Sequence, residues 1–253
     1  MVLTIDIGNT NIMFCSFKNN IKKKEAIIPS KDIKFDLKLQ VFFKKIFPVQ
    51  NIKGIIVSSV VPKINNALAK FFYKIYKIYP ILVKDVIKKF KFKTLIKNKN
   101  EIGTDRVVNV IYANKLFNSS ILIIDFGTAT TIDFINSESV YEGGIIAPGI
   151  DLSLKNLSLF TAKLPLVKFK KTKSVIGNST KNAIRSGFFW GYISLVNGLI
   201  NRIILEKKLE PKIILTGGNA KLLNNYISNV TYTDPYLTMK GLNFMFGEIC
   251  ENK

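Results

Sequence analysis

Histidine is absent from this chain of 253 residues, and cysteine occurs only at Cys15 and Cys250. Without histidine there is no Ser-His-Asp triad, no Cys-His pair and no histidine metal site, so acid–base chemistry falls to carboxylates, Lys or Tyr. The cysteines lie far apart with no Cys-Xxx-Xxx-Cys spacing, which speaks against a zinc site or a disulfide framework and suits a reducing cytoplasm. Long hydrophobic runs are missing too. None approaches the roughly 18 residues that span a bilayer, the longest being broken by Lys, Asp or Pro, so no membrane association is expected. Val2 to Asp6 already reads as a strand and the first Lys is Lys18, so no secretory signal is expected either.

Arginine is the third scarcity. Arg106, Arg185 and Arg202 are the only arginines among 38 basic residues, against 17 acidic ones, for a formal charge of +21. Such an excess ordinarily points to nucleic acid. Specific phosphate and base recognition, however, favours the bidentate Arg fork, and abundant Lys, Asn, Ile and Phe beside scarce Arg is what A/T-rich codons produce. The excess therefore reads as a compositional bias, Lys22 to Lys24 and Lys88 to Lys93 as solvated faces, and nucleic acid is not an expected partner.

What is present is a globular composition, 47% hydrophobic and 22% charged, with length for one large or two medium domains. The segment Thr-Ile-Asp-Ile-Gly-Asn-Thr-Asn at residues 4–11 has a partial echo in Ile-Asp-Phe-Gly-Thr-Ala-Thr-Thr at 124–131, with Asp6 and Gly8 recurring as Asp125 and Gly127. Each follows a short apolar run and precedes β-formers, so each reads as strand, tight turn, strand. Such turns suit phosphate. Gly lets the backbone approach an anion, successive N–H groups around Gly8, Asn9 and Thr10 can point at its oxygens, and a carboxylate at the strand end can hold a cation or its waters.

Around these turns the pattern predicts a hairpin over Val2 to Lys18, a strand at Glu25 to Ile28, a helix from about Asp32 to Phe47, a buried strand at Gly54 to Val60 and a helix opened by Pro62. A strand at Pro80 to Val83, an irregular Lys-rich connection over Lys84 to Asn100, and a helix at Asp105 to Phe117 complete the first half. The second half predicts strands at Ile121 to Asp125, Thr131 to Ile135 and Val140 to Ile146. A helical stretch, a long helix from about Ser179 to Leu205, a strand at Lys212 to Thr216 and a helix at Ala220 to Ile227 follow. A β-rich start followed by alternating helices and strands, done twice, predicts an α/β chain of two ribonuclease-H-like (actin-like ATPase) domains, 1–117 and 118–253, with the active site in the cleft between them.

A third landmark is Gly-Thr-Asp-Arg at 103–106. This order of Asp-Ile-Gly-Asn-Thr, Gly-Xxx-Asp-Arg and Asp-Phe-Gly-Thr-Ala-Thr closely resembles the type III pantothenate kinases of the acetate and sugar kinase/Hsp70/actin superfamily. Glu-Gly-Gly-Ile-Ile-Ala-Pro-Gly at 142–149, Gly-Asn-Ser-Thr at 177–180, Thr-Gly-Gly-Asn-Ala at 216–220 and Leu-Thr-Met-Lys-Gly-Leu at 237–242 add to the resemblance. It implies an ATP-dependent kinase that phosphorylates the primary hydroxyl of pantothenate, giving 4'-phosphopantothenate, the first step of coenzyme A biosynthesis, in a cytoplasmic homodimer.

Carried over residue by residue, the resemblance assigns ATP phosphates to Asp6, Ile7, Gly8, Asn9, Thr10, Asn11, Ile12 and Met13, with Asp6 near Mg²⁺. It assigns ATP to Thr128 as well, and a monovalent cation (K⁺ or NH₄⁺) to Asp125. Asp105 is implied as general base, Gly103, Thr104, Asp105 and Arg106 as substrate contacts, and Thr180 as a substrate contact supplied by the neighbouring subunit. Gly217 and Gly218 resemble the turn that approaches the adenosine. Taken alone, Asp105-Arg106 reads more readily as a helix-start carboxylate with a surface Arg. One departure stands out: where many members carry a substrate-contacting Tyr, seven residues before Gly103, this chain has Ile96. Two alternatives remain open, a non-catalytic regulatory relative and a kinase for another small acid or sugar.

Overall fold

The computed structural model describes residues 1–31 and 33–251, in two compact units, Met1–Leu116 with Tyr236–Lys253, and Phe117–Pro235. The division expected at 117/118 thus falls within a residue of the first boundary, but the C-terminal segment joins the first unit instead of the second.

In unit 1 the strands are β1 (Val2–Ile7), β2 (Asn11–Lys18), β3 (Ile21–Pro29), β4 (Gly54–Ser59) and β5 (Ile81–Leu82), in the order β3-β2-β1-β4-β5. The first three run antiparallel, and β4 and β5 continue the sheet in parallel with β1. A two-residue strand, β6 (Lys93–Thr94), lies in the Lys-rich connection, which also holds a short helix, α3 (Val83–Val86). Strand alternation sorts the side chains of β1 between two faces. Leu3, Ile5 and Ile7 enter a core with Phe14, Phe43, Phe72 and Tyr76, built on α1 (Leu37–Ile46) and α2 (Pro62–Tyr76). Helix α1 starts later than the periodicity predicted because the Asp36 carboxylate caps it, accepting from Leu39 N at 2.9 Å; Asp32, where the prediction began, lies outside the described residues.

The opposite face, which carries Thr4 and Asp6, is covered by α4 (Thr104–Leu116) and α8 (Leu237–Glu251). The α8 helix comes close to the sheet, since a Cβ on Gly54 would overlap the Phe246 ring, and close to α4, since one on Gly241 would sit 2.6 Å from Val108 Cγ1. This packing explains why the end of the chain belongs to unit 1. Both cysteines are free: Cys15 is buried, its thiol pushed up to about 12 by desolvation, and Cys250 is exposed.

Unit 2 repeats the plan with β7 (Ile121–Phe126), β8 (Ala129–Ile135), β9 (Val140–Pro148), β10 (Lys212–Gly217) and β11 (Val230–Thr233), ordered β11-β10-β7-β8-β9. Again three antiparallel strands continue into two parallel ones. Leu122, Ile124, Phe126, Ile132 and Phe134 pack against α5 (Ile150–Leu159) and the 28-residue α6 (Thr180–Lys207). A short α7 (Ala220–Leu223) follows β10. By length and composition α6 could cross a membrane, although no such run was expected from the sequence. Its Ile184, Phe189, Ile193, Val196 and Ile200 nevertheless belong to the unit's core.

Candidate functional site

In unit 1, β1 and β2 are joined through Gly8, Asn9 and Thr10. Gly8 N donates to Asn11 O at 3.0 Å, and its missing Cβ would lie 3.1 Å from the same oxygen. The turn is fastened from outside by Ser30, whose N donates to Thr10 O at 2.9 Å and whose Oγ donates to Gly8 O at 2.6 Å. Asn9, Thr10 and Asn11 are exposed, whereas Ile7 and Ile12 are fully buried. Of residues 6 to 13, those two isoleucines can offer a ligand only their backbone. Asp6, beside the turn, is half-buried.

Register then connects this turn to α4. Asp6 pairs with Ser58 and Ile7 with Ser59 across the parallel β1/β4 ladder. At the end of β4, Thr104 Oγ1 accepts from Ser59 N at 2.9 Å, donates to Ser59 O at 3.1 Å and meets Ser58 Oγ at 3.0 Å. The single hydroxyl proton of Thr104 is spent on the carbonyl, so Ser58 is the donor of the third bond. This knot pins the first turn of α4 to the strand beside Asp6 and brings Gly103, Thr104, Asp105 and Arg106 to the same sheet end. With its hydroxyl saturated, Thr104 has only backbone to offer a substrate.

Asp105 occupies the first turn of α4, where the helix dipole favours a carboxylate, and Arg106 N donates to its Oδ1 at 2.8 Å. Asp105 Oδ1 occupies the place that a Cβ on Gly103 would take, so a side chain there would push the carboxylate aside. Ile96 is partly exposed, its N donating to Thr94 Oγ1 at 3.0 Å.

In unit 2, β7 and β8 are joined through Gly127 and Thr128, both exposed. Gly127 N donates to Ala129 O, and Gly149 N donates to Thr128 O, each at 3.1 Å. A side chain on Gly149 would run into the Thr128 carbonyl, so glycine is what lets β9 fasten the turn. Asp125 pairs with Thr216 on β10, and Gly217 follows with φ +86°, its missing Cβ replaced by Asp125 Oδ1. Gly218 faces open space. Thr180 stands at the start of α6, exposed, after Ser179, whose Oγ accepts from Asn182 N at 3.3 Å.

Glu142, of the Glu-Gly-Gly motif, is held by Lys207 Nζ at 2.9 Å and Asn136 Nδ2 at 3.0 Å. The Lys207 hydrogen bond holds its carboxyl below the usual range. Gly143, at φ +140°, sits at an irregularity in the β8/β9 ladder. The motif's acid and first glycine thus serve the sheet. Sequence reasoning missed Ser30, Ser58, Ser59 and Gly149 as supports. The hydroxyl pair closing β4 was the available signal, since hydroxyls at the end of a buried strand need partners.

A divalent cation fits only in a limited way. Among the described residues no group of three His, Cys, Asp or Glu could hold a metal by itself. A lone carboxylate such as Asp6 matches a hard cation that completes its shell with phosphate oxygens and water.

The family model for type III pantothenate kinase matches residues 2–202. The chain belongs to the type III pantothenate kinase family. Membership makes it an ATP-dependent kinase of a small molecule, working with ATP and a divalent metal. Among solved structures, a Campylobacter jejuni protein described as a Baf family transcriptional activator is 21% identical over 99% of this chain and 100% of its own, with a TM-score of 0.57. A Sinorhizobium meliloti protein described as a 2-dehydro-3-deoxygalactonokinase is 10% identical over 98% of this chain and 97% of its own, at 0.58. At such identities the likeness is one of fold, a two-domain α/β fold shared with these structures.

Proposed function

We propose that this family member transfers the γ-phosphoryl group of ATP to the primary hydroxyl of pantothenate, giving 4'-phosphopantothenate. The observation that carries the reading is the Thr104 knot, which fixes Asp105 beside the strand that bears Asp6 and the Gly8 turn. Backbone N–H groups of Asn9 to Asn11 bind phosphate oxygens, as that of Thr128 does in unit 2, those of Gly8 and Gly127 being spent within their own turns. Asp6 holds the divalent cation, which when bound neutralises charge on the phosphates, and Asp125 holds a monovalent one. Asp105 orients the attacking hydroxyl and accepts its proton. A carboxylate is a weak base for an alcohol, yet phosphoryl transfer depends chiefly on alignment and charge neutralisation. Arg106 contacts the substrate and offsets its negative charge.

The working form is a homodimer joined through α6, and Thr180 reaches the partner's substrate. Supporting this, only 22% of the apolar window of α6 is buried, Leu195 and Leu205 are exposed, and Gly187, Gly191 and Gly198 face open space. The proposed compartment is the cytoplasm, in keeping with two unpaired cysteines.

The test is ADP release by purified protein with ATP, Mg²⁺ and potassium, with and without pantothenate, the product being weighed by mass spectrometry. Pantothenate-dependent ADP release with a singly phosphorylated product is expected, and sodium in place of potassium should abolish it. ATP binding without turnover on pantothenate would refute the acceptor, and a panel of small hydroxy acids and sugars would then be assayed.

A further inference from the structure

We infer that unit 2 carries an oxyanion site for a small phosphate-bearing molecule, in a cavity beside the start of α6. The cavity has a volume of about 410 Å³ and its wall includes Lys170, Lys171, Lys173 and Arg185 but no carboxylate. That volume is in the range of pockets that take small organic ligands. None of Asp125, Thr128, Gly149, Gly217 or Thr180 lines it, so the site goes beyond the turns assigned to ATP.

Arg185 carries the argument. Its side chain makes no hydrogen bond or ion pair with any described residue, and its Nε is buried without a partner, as is Oγ1 of Thr172 on the same wall. The residue as a whole is partly exposed, but a donor withdrawn from water is ordinarily paired, because an unmatched buried one is costly. Lys171 lies over the Tyr226 ring at 5.2 Å, which leaves its charge uncancelled. The positive end of the α6 dipole adds to the same field.

Arg185 is the one Arg on this wall. Arg185 stands where a planar fork is wanted, and forks match phosphate bidentately, with the lysines supplying point charges to a dianion.

The probe is pyrophosphate, titrated calorimetrically at low ionic strength into the full-length protein saturated with a non-hydrolysable ATP analogue, so that the nucleotide turns are filled. Wild type should bind, Arg185→Gln should bind about tenfold more weakly, and Arg185→Lys should fall between. Lys221→Gln, an exposed charge on α7, should be neutral. The analogue's own thermal shift should survive in Arg185→Gln, which separates this site from the kinase reading. The inference is overturned if the saturated wild type takes up no pyrophosphate, or if Lys221→Gln weakens binding as much as Arg185→Gln. It is also overturned if Arg185→Gln splits a dimer while wild type ignores the probe, since the fork would then hold a carboxylate of a second copy. If Arg185→Gln does not fold, the double variant Lys170→Gln, Lys173→Gln is titrated under the same criteria.

Discussion

The turns of the two units occupy the same place in the same strand order, yet they are braced differently. In unit 1 the strand beside the turn ends in Ser58 and Ser59, and the Ser58 hydroxyl with the Ser59 backbone holds Thr104, while the Ser59 hydroxyl donates to Asn65 Oδ1. In unit 2 the corresponding strand ends in Gly217, which has no side chain and a left-handed backbone. One turn has been given a helix that delivers an acid; the other has been stripped so that backbone can be approached. In each unit a carboxylate fills the space a glycine leaves empty, Asp105 over Gly103 and Asp125 over Gly217. The two contacts are not equivalent, since the counterpart of Asp125 is Asp6 on β1, and the roles we propose divide accordingly, with the base and the divalent cation in unit 1 and the monovalent cation in unit 2.

Breaking the unit 1 half should have the largest effect. Asp105→Asn should lower turnover by about 10²- to 10⁴-fold while leaving the ATP-induced thermal shift intact, and near-normal turnover would assign the base elsewhere. Breaking the unit 2 half acts through backbone. Gly217→Ala must adopt φ +86° and push Asp125 aside, so it should cost about 1–3 kcal/mol in a denaturant titration, whereas Gly218→Ala should be nearly silent. Equal effects from the two glycines would show that Gly217 is not under the constraint described.

The hydrogen-bond knot offers a finer test. Thr104→Val keeps the shape but strands Ser59 N and Ser58 Oγ, a loss of about 1–3 kcal/mol. If the knot positions Asp105, the variant should also lower kcat more than the KM for ATP, and Thr104→Ser should restore both. A Thr104→Val enzyme that is destabilised but has normal kcat would reduce the knot to a structural role.

The smallest effect concerns Glu142, whose carboxyl is lowered by the Lys207 hydrogen bond. Its stabilisation is present above the unfolded carboxylate value and is lost as pH falls through the depressed one. The partners are partly exposed, so Glu142→Gln should flatten the acid limb of the stability curve by no more than about 1 kcal/mol. An unchanged limb would mean that the pair contributes nothing.

The sequence carried the local features. The Asp6 and Asp125 turns, the Pro62 helix start and the Gly-Thr-Asp-Arg segment are each encoded within a few residues, and the observed elements follow them closely. It was poor where meaning comes from a distant partner. Ser58 and Ser59 are two hydroxyls at the end of a strand until α4 supplies Thr104 to the first and α2 supplies Asn65 to the second. Gly217 is a generic turn residue until Asp125 occupies its Cβ position. The α8 helix could not be assigned to unit 1 from its own pattern, because its reason for being there is the glycines Gly54 and Gly241 that let it approach. The long α6 was expected from about Ser179 to Leu205 and is found at Thr180–Lys207, but its apolar residues are spread round the helix without a sharp stripe, so its core face was not marked.

The return of α8 to unit 1 has a consequence in the order of synthesis. Unit 2 is contiguous and can fold as it leaves the ribosome, but the sheet that carries Asp6 waits for a cover translated only after residues 117–235. At roughly 5–20 residues per second the delay is on the order of ten seconds. Throughout that interval the face of β1 and β4 destined for α8 is bare, so the half of the molecule with the proposed general base is begun first and finished last.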